Sequence, residues 1–257
     1  MVVKKIHYCW FGGNPLSNII KKCIASWKEV CPDYEIVEWN ETNFNIHCCR
    51  YVEEAYNNKK WAFVSDYARF KILYENGGIY VDTDVELIKS ISDLPETFVG
   101  FESDKLVASG LIRGACIGDT ICKEMIASYE ADRFVLDDGS LNTKTVCVRE
   151  TEILQKYGLE LNGKLQTVGK TTVFPIEYFC PKDFVTGVLN ITENTYSIHH
   201  YDSSWYSEED KYTLRLRKKI QKYLPSKIAG IIARIIAIKK FRGIKAVFQE
   251  AAKRLKK

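Results

Sequence analysis

Two aspartates one residue apart, Asp82 and Asp84, close the run Gly77-Gly78-Ile79-Tyr80-Val81-Asp82-Thr83-Asp84. Carboxylate oxygens in this array, joined by the oxygens of a diphosphate, are natural ligands for a hard cation such as Mg2+ or Mn2+. Such an ion would neutralise charge on a leaving diphosphate. Taken alone, Asp-x-Asp is also a common surface turn. Its setting adds to it. A short apolar strand runs straight into the pair, and ligands of open α/β sheets bind beyond the carboxyl ends of strands. Sixteen residues upstream of Asp82 lies Asp66, followed by Arg69 one helical turn later. The two share a helix face. They are either an ion pair of small value, or an acceptor for sugar hydroxyls beside a fork for carboxylate or phosphate. The aromatic residues crowded around them favour a packed setting.

Positioning such residues requires alternating strands and helices. Residues 3–11 read as a buried strand stopped by Gly12-Gly13. Leu16, Ile19, Ile20, Cys23, Ile24 and Trp27 recur at helical spacing, which predicts a helix over 15–30. Residues 34–39 alternate as a strand, and 51–75 read as one helix stopped by Gly77-Gly78. Short strands are expected at 79–81, 98–101 and 196–200, a helix at 116–130, and a helix then a strand within 136–169. Strand–helix–strand order of this kind is an α/β fold.

Composition sets the frame. The chain has 257 residues, 46% apolar and 27% charged, enough for a full core without staples. Nine cysteines, with no C-x-x-C pair, fit reduced thiols in a cytosol. The N-terminal apolar run is too short for a secretory signal. The charge is uneven. Residues 211–257 hold 16 of the 37 Lys and Arg and one acid, Glu250, for a net +15, whereas residues 1–210 carry −11. Two regions are therefore expected, a body over 1–210 and a basic helical tail over 211–257. In the tail, 211–222 is a basic helix, Pro225 interrupts, 228–238 is apolar but for Arg234, and 241–255 is amphipathic. Such helices lie among headgroups with lysines on anionic lipid; the alternative is packing on the body. Ile231, Ile235, Phe241 and Phe248 are the expected inserting residues. No nucleic-acid motif is present, and no nucleic-acid partner is expected.

Four blocks carry a resemblance: Lys5–Gly13, Cys31–Asn40, Ala62–Asp84 and Ile198–Trp205. The chain resembles bacterial glycosyltransferases of the DXD sugar-binding-region type, glycosyltransferase family 32, which build capsular and cell-surface polysaccharides. It is distantly similar to the sugar-transferring domain of large clostridial toxins. The resemblance spans residues 3–206 and is loose over 100–195. It implies a GT-A fold, a Rossmann-like mixed sheet flanked by helices. It also implies retaining transfer of a hexose from a nucleotide sugar, a UDP-sugar foremost, with Mn2+ or Mg2+. Trp10 would stack on the base. Asp66 and Arg69 would hold the donor sugar and its diphosphate side, with Tyr80 in the same donor set. Asp82 would contact ribose or sugar and reach the metal through water, and Asp84 would ligate it. His200, Ser204 and Trp205 would belong to a flap over the diphosphate.

The residues bear these roles on their own chemistry in part. A Trp beside glycines suits stacking, although a Trp after a buried strand is as readily core. Of His199 and His200, alternation lets one face a site. Glu150, Glu152, Asp137 and Asp138 are candidates for acceptor handling, each set against a solvated surface. A retaining transfer in which the diphosphate takes the acceptor's proton needs no protein base. The expected acceptor is a lipid-linked saccharide, on the cytoplasmic face of the plasma membrane with the protein peripheral to it. The alternatives are a toxin-like transferase acting on protein, or a non-catalytic assembly protein at the membrane.

Overall fold

The structure, a computed structural model, describes residues 3–184, 186–202 and 208–255, with side chains as far as residue 250. Two compact units are present. The first comprises 1–183 and 188–202, the second 184–187 and 203–257.

The first unit is α/β. Its elements are β1 (Lys5–Cys9), α1 (Asn18–Val30), β2 (Glu35–Trp39), α2 (Arg50–Asn57), α3 (Trp61–Asn76), β3 (Gly78–Tyr80), β4 (Val85–Leu87), β5 (Phe98–Ser103), β6 (Leu106–Val107), β7 (Arg113–Ala115), α4 (Thr120–Glu130), α5 (Val146–Lys156), β8 (Gln166–Val168), β9 (Thr171–Phe174), α6 (Ile176–Phe179) and β10 (Ser197–His199). The main sheet runs β2-β1-β3-β7-β5-β9-β8, with β6 on β5. β1 is parallel to β2 and β3, whereas β7 is antiparallel to β3 and β5. This is the mixed sheet flanked by helices that the sequence predicts. Period-two alternation splits the core between its faces. Tyr80, Val99, Phe101 and Ala115 pack with α2–α5. Ile6, Tyr8, Ile79 and Phe98 pack with Trp27 of α1 and Phe179 of α6.

The predicted single helix over 51–75 is two. Asn58–Lys60 separates them, and Lys59 takes φ 55°, a left-handed turn made without glycine. Helix 15–30 begins at Asn18, because Ser17 caps it through the Ile20 N–H. Asp119 caps α4 in the same way, so that helix starts at Thr120 rather than at 116. All nine cysteines are free.

A second, two-stranded sheet pairs β10 with β4 in antiparallel register, His199 opposite Val85. The other side of β4 faces α1. There Trp27 Nε1 donates to the Val85 carbonyl at 2.7 Å, and the Leu87 N–H donates to Ser26 Oγ at 3.0 Å.

Two buried polar groups contradict a simple reading. Glu150, expected on a solvated face or at an acceptor, is 0% exposed and pairs with Arg113 at 2.8 Å. Burial pushes its carboxyl up against the pull of Arg113. His7 is also buried. Its Nδ1 accepts from Trp39 Nε1 at 3.1 Å, so Nε2 carries the proton toward the Gly77 carbonyl at 3.0 Å.

The second unit holds α7 (Glu208–Ile220), α8 (Ser226–Arg242) and α9 (Ile244–Leu255). Pro225 and Gly243, the latter at φ 84°, mark its two corners. Three acids, Glu208, Glu209 and Asp210, open α7 ahead of the basic run, where they complement the positive end of the helix dipole.

Candidate donor and metal site

The path of the chain brings the upstream and downstream acids together. From Arg69 to the end of α3 the helix descends roughly 11 Å at 1.5 Å per residue. Gly77 and Gly78, both at positive φ, reverse it. A Cβ on Gly78 would lie 2.8 Å from the Lys5 carbonyl oxygen, so the turn hugs β1 as only glycine can. The chain then climbs about 13 Å from Gly78 to Asp82 at roughly 3.3 Å per residue. Asp82 thus returns to the level of Arg69.

Arg69 is the hub. Its Nη2 lies 2.8 Å from Asp66 Oδ1 and 3.3 Å from Asp82 Oδ1. Its Nε donates to the Ser65 carbonyl at 3.3 Å, and its guanidinium sits 4.8 Å from the Tyr80 ring centre. Tyr80 itself is 1% exposed; it lies beneath Arg69 and supports it. Arg69 Nη1 is buried without a hydrogen-bond partner. Burial pushes the Asp66 carboxyl up to about 7 against the pull of Arg69. Burial also raises Asp82, with the Asp84 charge adding to it, although Asp82 keeps 30% of its side chain exposed. The ion pair of the sequence reading is therefore part of a chain of three ionisable groups, buried at Asp66 and Arg69 and open to solvent at Asp82.

Asp84 is held differently. Burial opposes its ionisation, but His199 and the Asp202 N–H override that and hold it below the usual carboxylate range. His199 Nε2 stands 3.2 Å from Oδ1, and the Asp202 N–H donates to Oδ2 at 2.9 Å. Burial works against charging His199, yet the Asp84 carboxylate lifts it net above the ordinary value. Its Nδ1 is buried and unpartnered. His200, expected in the donor set, turns its ring the other way to Glu86 at 2.7 Å; its backbone N–H donates to the Asp84 carbonyl. His199 is thus the member of the pair that faces the carboxylates. Ser204 and Trp205 lie outside the described residues.

Trp10 leaves β1 half-buried, its Nε1 fixed to the Asn14 carbonyl at 2.6 Å. Gly110 is a further residue of the site, one that sequence reasoning did not single out. Its carbonyl accepts the Asp82 N–H at 3.0 Å. A Cβ on it would fall 2.1 Å from Asp82 Oδ2 and 3.0 Å from Arg69 Nη1.

The donor set suits a hard divalent cation. Two carboxylates follow the end of β3, near enough for the charge of Asp84 to bear on Asp82, and Asp82 has room for its outer oxygen above Gly110. No group of three His, Cys, Asp or Glu among the described residues would hold a metal ion unaided. Phosphate oxygens and water would complete its shell, as is usual for Mg2+.

Residues 17–99 match the family described as glycosyltransferase sugar-binding region containing DXD motif. That segment, about a third of the chain, is similar to a sugar-transferase region. The chain's enzyme class is transferase, and its donor a nucleotide sugar. The match ends before Gly110 and His199, so those two rest on geometry alone. No curated protein matches the chain. Among solved structures, the PaToxG glycosyltransferase superposes with a TM-score of 0.46 at 19% identity, over 60% of this chain and 69% of that one. That likeness is too loose to carry residue roles across.

Proposed function

We propose that the chain is a metal-dependent, retaining hexosyltransferase of the GT-A type, using a UDP-sugar and a lipid-linked saccharide acceptor in surface polysaccharide synthesis. It would work on the inner face of the plasma membrane. The observation that carries the reading is the Asp66–Arg69–Asp82 chain placed beside Asp84 at the carboxyl end of β3.

Asp82 and Asp84 would hold Mn2+ or Mg2+, with His199 alongside. When bound, the ion supplies charge neutralisation to the leaving diphosphate. Asp66 accepts from donor sugar hydroxyls. Arg69 keeps Asp66 and Asp82 in register, and its free Nη1 is the one arm left for the donor's anionic side. Trp10 stacks on the base from the loop after β1. The acceptor hydroxyl gives its proton to the diphosphate oxygen that leaves, so no carboxylate is needed as a base. The buried Glu150 is out of reach of an acceptor.

The test is a melting-temperature scan of nucleotide sugars with Mn2+, followed by transfer assays on lipid-linked and on protein acceptors. A true donor stabilises the folded chain by mass action. Asp84→Ala should abolish transfer with the fold intact, and Asp82→Ala should do nearly as much. Full turnover by metal-stripped Asp84→Ala at saturating donor overturns the metal assignment. Transfer to protein alone replaces the acceptor.

A further inference from the structure

Helix α8 is built inside out. Its packed face carries Ala229, Ala233 and Ala237, each 0% exposed, with Ile238 buried near its C-terminal end. Its outer face carries Ile228, Ile231, Ile232, Ile235 and Ile236, spaced i, i+3, i+4, i+7 and i+8. Ile228 is 46% exposed, Ile231 51%, Ile235 45% and Ile236 39%. A helix of a water-soluble unit turns its large apolar residues inward. Here the small residues let α8 lie close to α7, where Gly230 faces Arg217, and the isoleucines form a ridge directed at solvent. A contiguous apolar ridge of this kind marks an interaction surface.

The charge around it selects the occupant. Residues 203–257 hold 16 Lys and Arg and four acids. Three of the acids are used internally: Glu208 on Lys211, Glu209 on Arg234 and Arg242, and Asp210 on Arg234. Lys227, beside the start of the ridge, and Lys239, one turn past its end on the same face, have no acidic partner among the described residues. An apolar ridge bounded by unneutralised lysines fits the boundary between acyl chains and anionic headgroups. A second copy would bring two strongly positive units together, which repel. No helix among the described residues is long and apolar enough to cross a membrane.

We infer that the outer face of α8 is a docking surface for anionic lipid, with the isoleucines inserted shallowly and Lys227 and Lys239 on the headgroups. The contact set differs from the one expected from sequence. Ile228 and Ile236 join Ile231 and Ile235 in it, while Phe241, 44% exposed with its ring 5.8 Å from that of Tyr212, and Phe248, 69% exposed, also remain open to solvent. Docking gives the lipid-linked acceptor reading a physical basis, and it rests on that reading only for its purpose.

The test is vesicle flotation of the full chain, with neutral phosphatidylcholine vesicles compared with vesicles holding about 30 mol% phosphatidylglycerol. Wild type should float with the anionic vesicles, and less so in high salt. Ile231→Asp with Ile235→Asp should weaken that partition by about 100-fold, and Lys227→Glu with Lys239→Glu should also weaken it. Melting temperature and the Mn2+-dependent nucleotide-sugar shift should stay unchanged in both, which separates failure here from failure of the transferase reading. Should the aspartates unfold the unit, Ile235→Trp in the otherwise native chain decides instead, through a blue shift of added fluorescence on anionic vesicles. Equal flotation of wild type and the folded aspartate variant, or no blue shift, overturns the proposal. So does a wild-type dimer in sedimentation equilibrium that the aspartates dissociate, since the ridge would then cover a second copy.

Discussion

Replacing Gly110 by alanine should damage catalysis far more than stability. The added methyl would stand 2.1 Å from Asp82 Oδ2 and 3.0 Å from Arg69 Nη1. The Gly110 backbone is not left-handed, so alanine fits its main chain. What must move is the end of the Asp82 side chain, not another backbone. An off-rotamer aspartate costs roughly 0.5–1.5 kcal/mol. Stretching its contact with Arg69 adds little, because Asp82 keeps 30% of its side chain in solvent. A total of about 1 kcal/mol corresponds to a melting shift of roughly 2–4 °C in a chain of this size. The carboxylate, however, moves by about 1 Å from where cation and donor need it, and displacements of that size cost about 100-fold in rate, or roughly 2.7 kcal/mol. Steady-state transfer kinetics, a Mn2+ titration and thermal melts on the same preparation read all three quantities. Wild-type kcat/KM in a folded Gly110→Ala protein refutes the reasoning, since the position of Asp82 would then not matter.

Acidification should destabilise the fold through His7. Burial depresses its imidazole from the ordinary 6.5 to about 4, so between those values the unfolded chain binds the proton and the folded one does not. Stability therefore rises with pH across that window, by about 3 kcal/mol; denaturant unfolding at pH 4–7 should show it, and His7→Gln should shrink the slope. Trp10→Ala should weaken nucleotide binding by roughly 1–3 kcal/mol and cost less than the roughly 3–5 kcal/mol of a fully buried tryptophan. Calorimetric titration with melts checks it, and normal affinity with a collapsed melting temperature returns Trp10 to the core. Glu150→Ala leaves Arg113 buried beside the more distant Asp119 and should cost about 3–5 kcal/mol in chemical denaturation.

Local pattern carried the reading wherever neighbours in sequence remain neighbours in space. The Gly77–Asp84 run announces turn, strand and carboxylate pair in eight consecutive residues, and Asp66 and Arg69 follow from helical spacing. The break between α2 and α3 left no such sign, because Lys59 makes a left-handed turn that glycine or asparagine usually makes. The choice between His199 and His200 depends on the parity of a three-residue strand, which pairing with β4 decides and sequence does not. Gly110 and the Arg113–Glu150 pair meet their partners only after the sheet forms. The ridge on α8 was visible as an apolar stretch. Its direction was not, since alanine and isoleucine both count as apolar and only packing shows which of them faces inward.

The small sheet has one more property. Flanking β4, the Asp84 carbonyl accepts from the His200 N–H and the Ile88 N–H donates to the Tyr196 carbonyl on the β10 side, while Val85 and Leu87 within it offer a carbonyl and an N–H to the far side. There the indole of Trp27 and the hydroxyl of Ser26 take the place of a neighbouring strand. With that carbonyl and that N–H engaged, this flank of β4 is a poor template for strand addition. The same clamp holds the segment that bears Asp84 from both flanks. Asp84 is thereby carried on a strip of backbone held on both flanks, stiffened where a cation would pull on it.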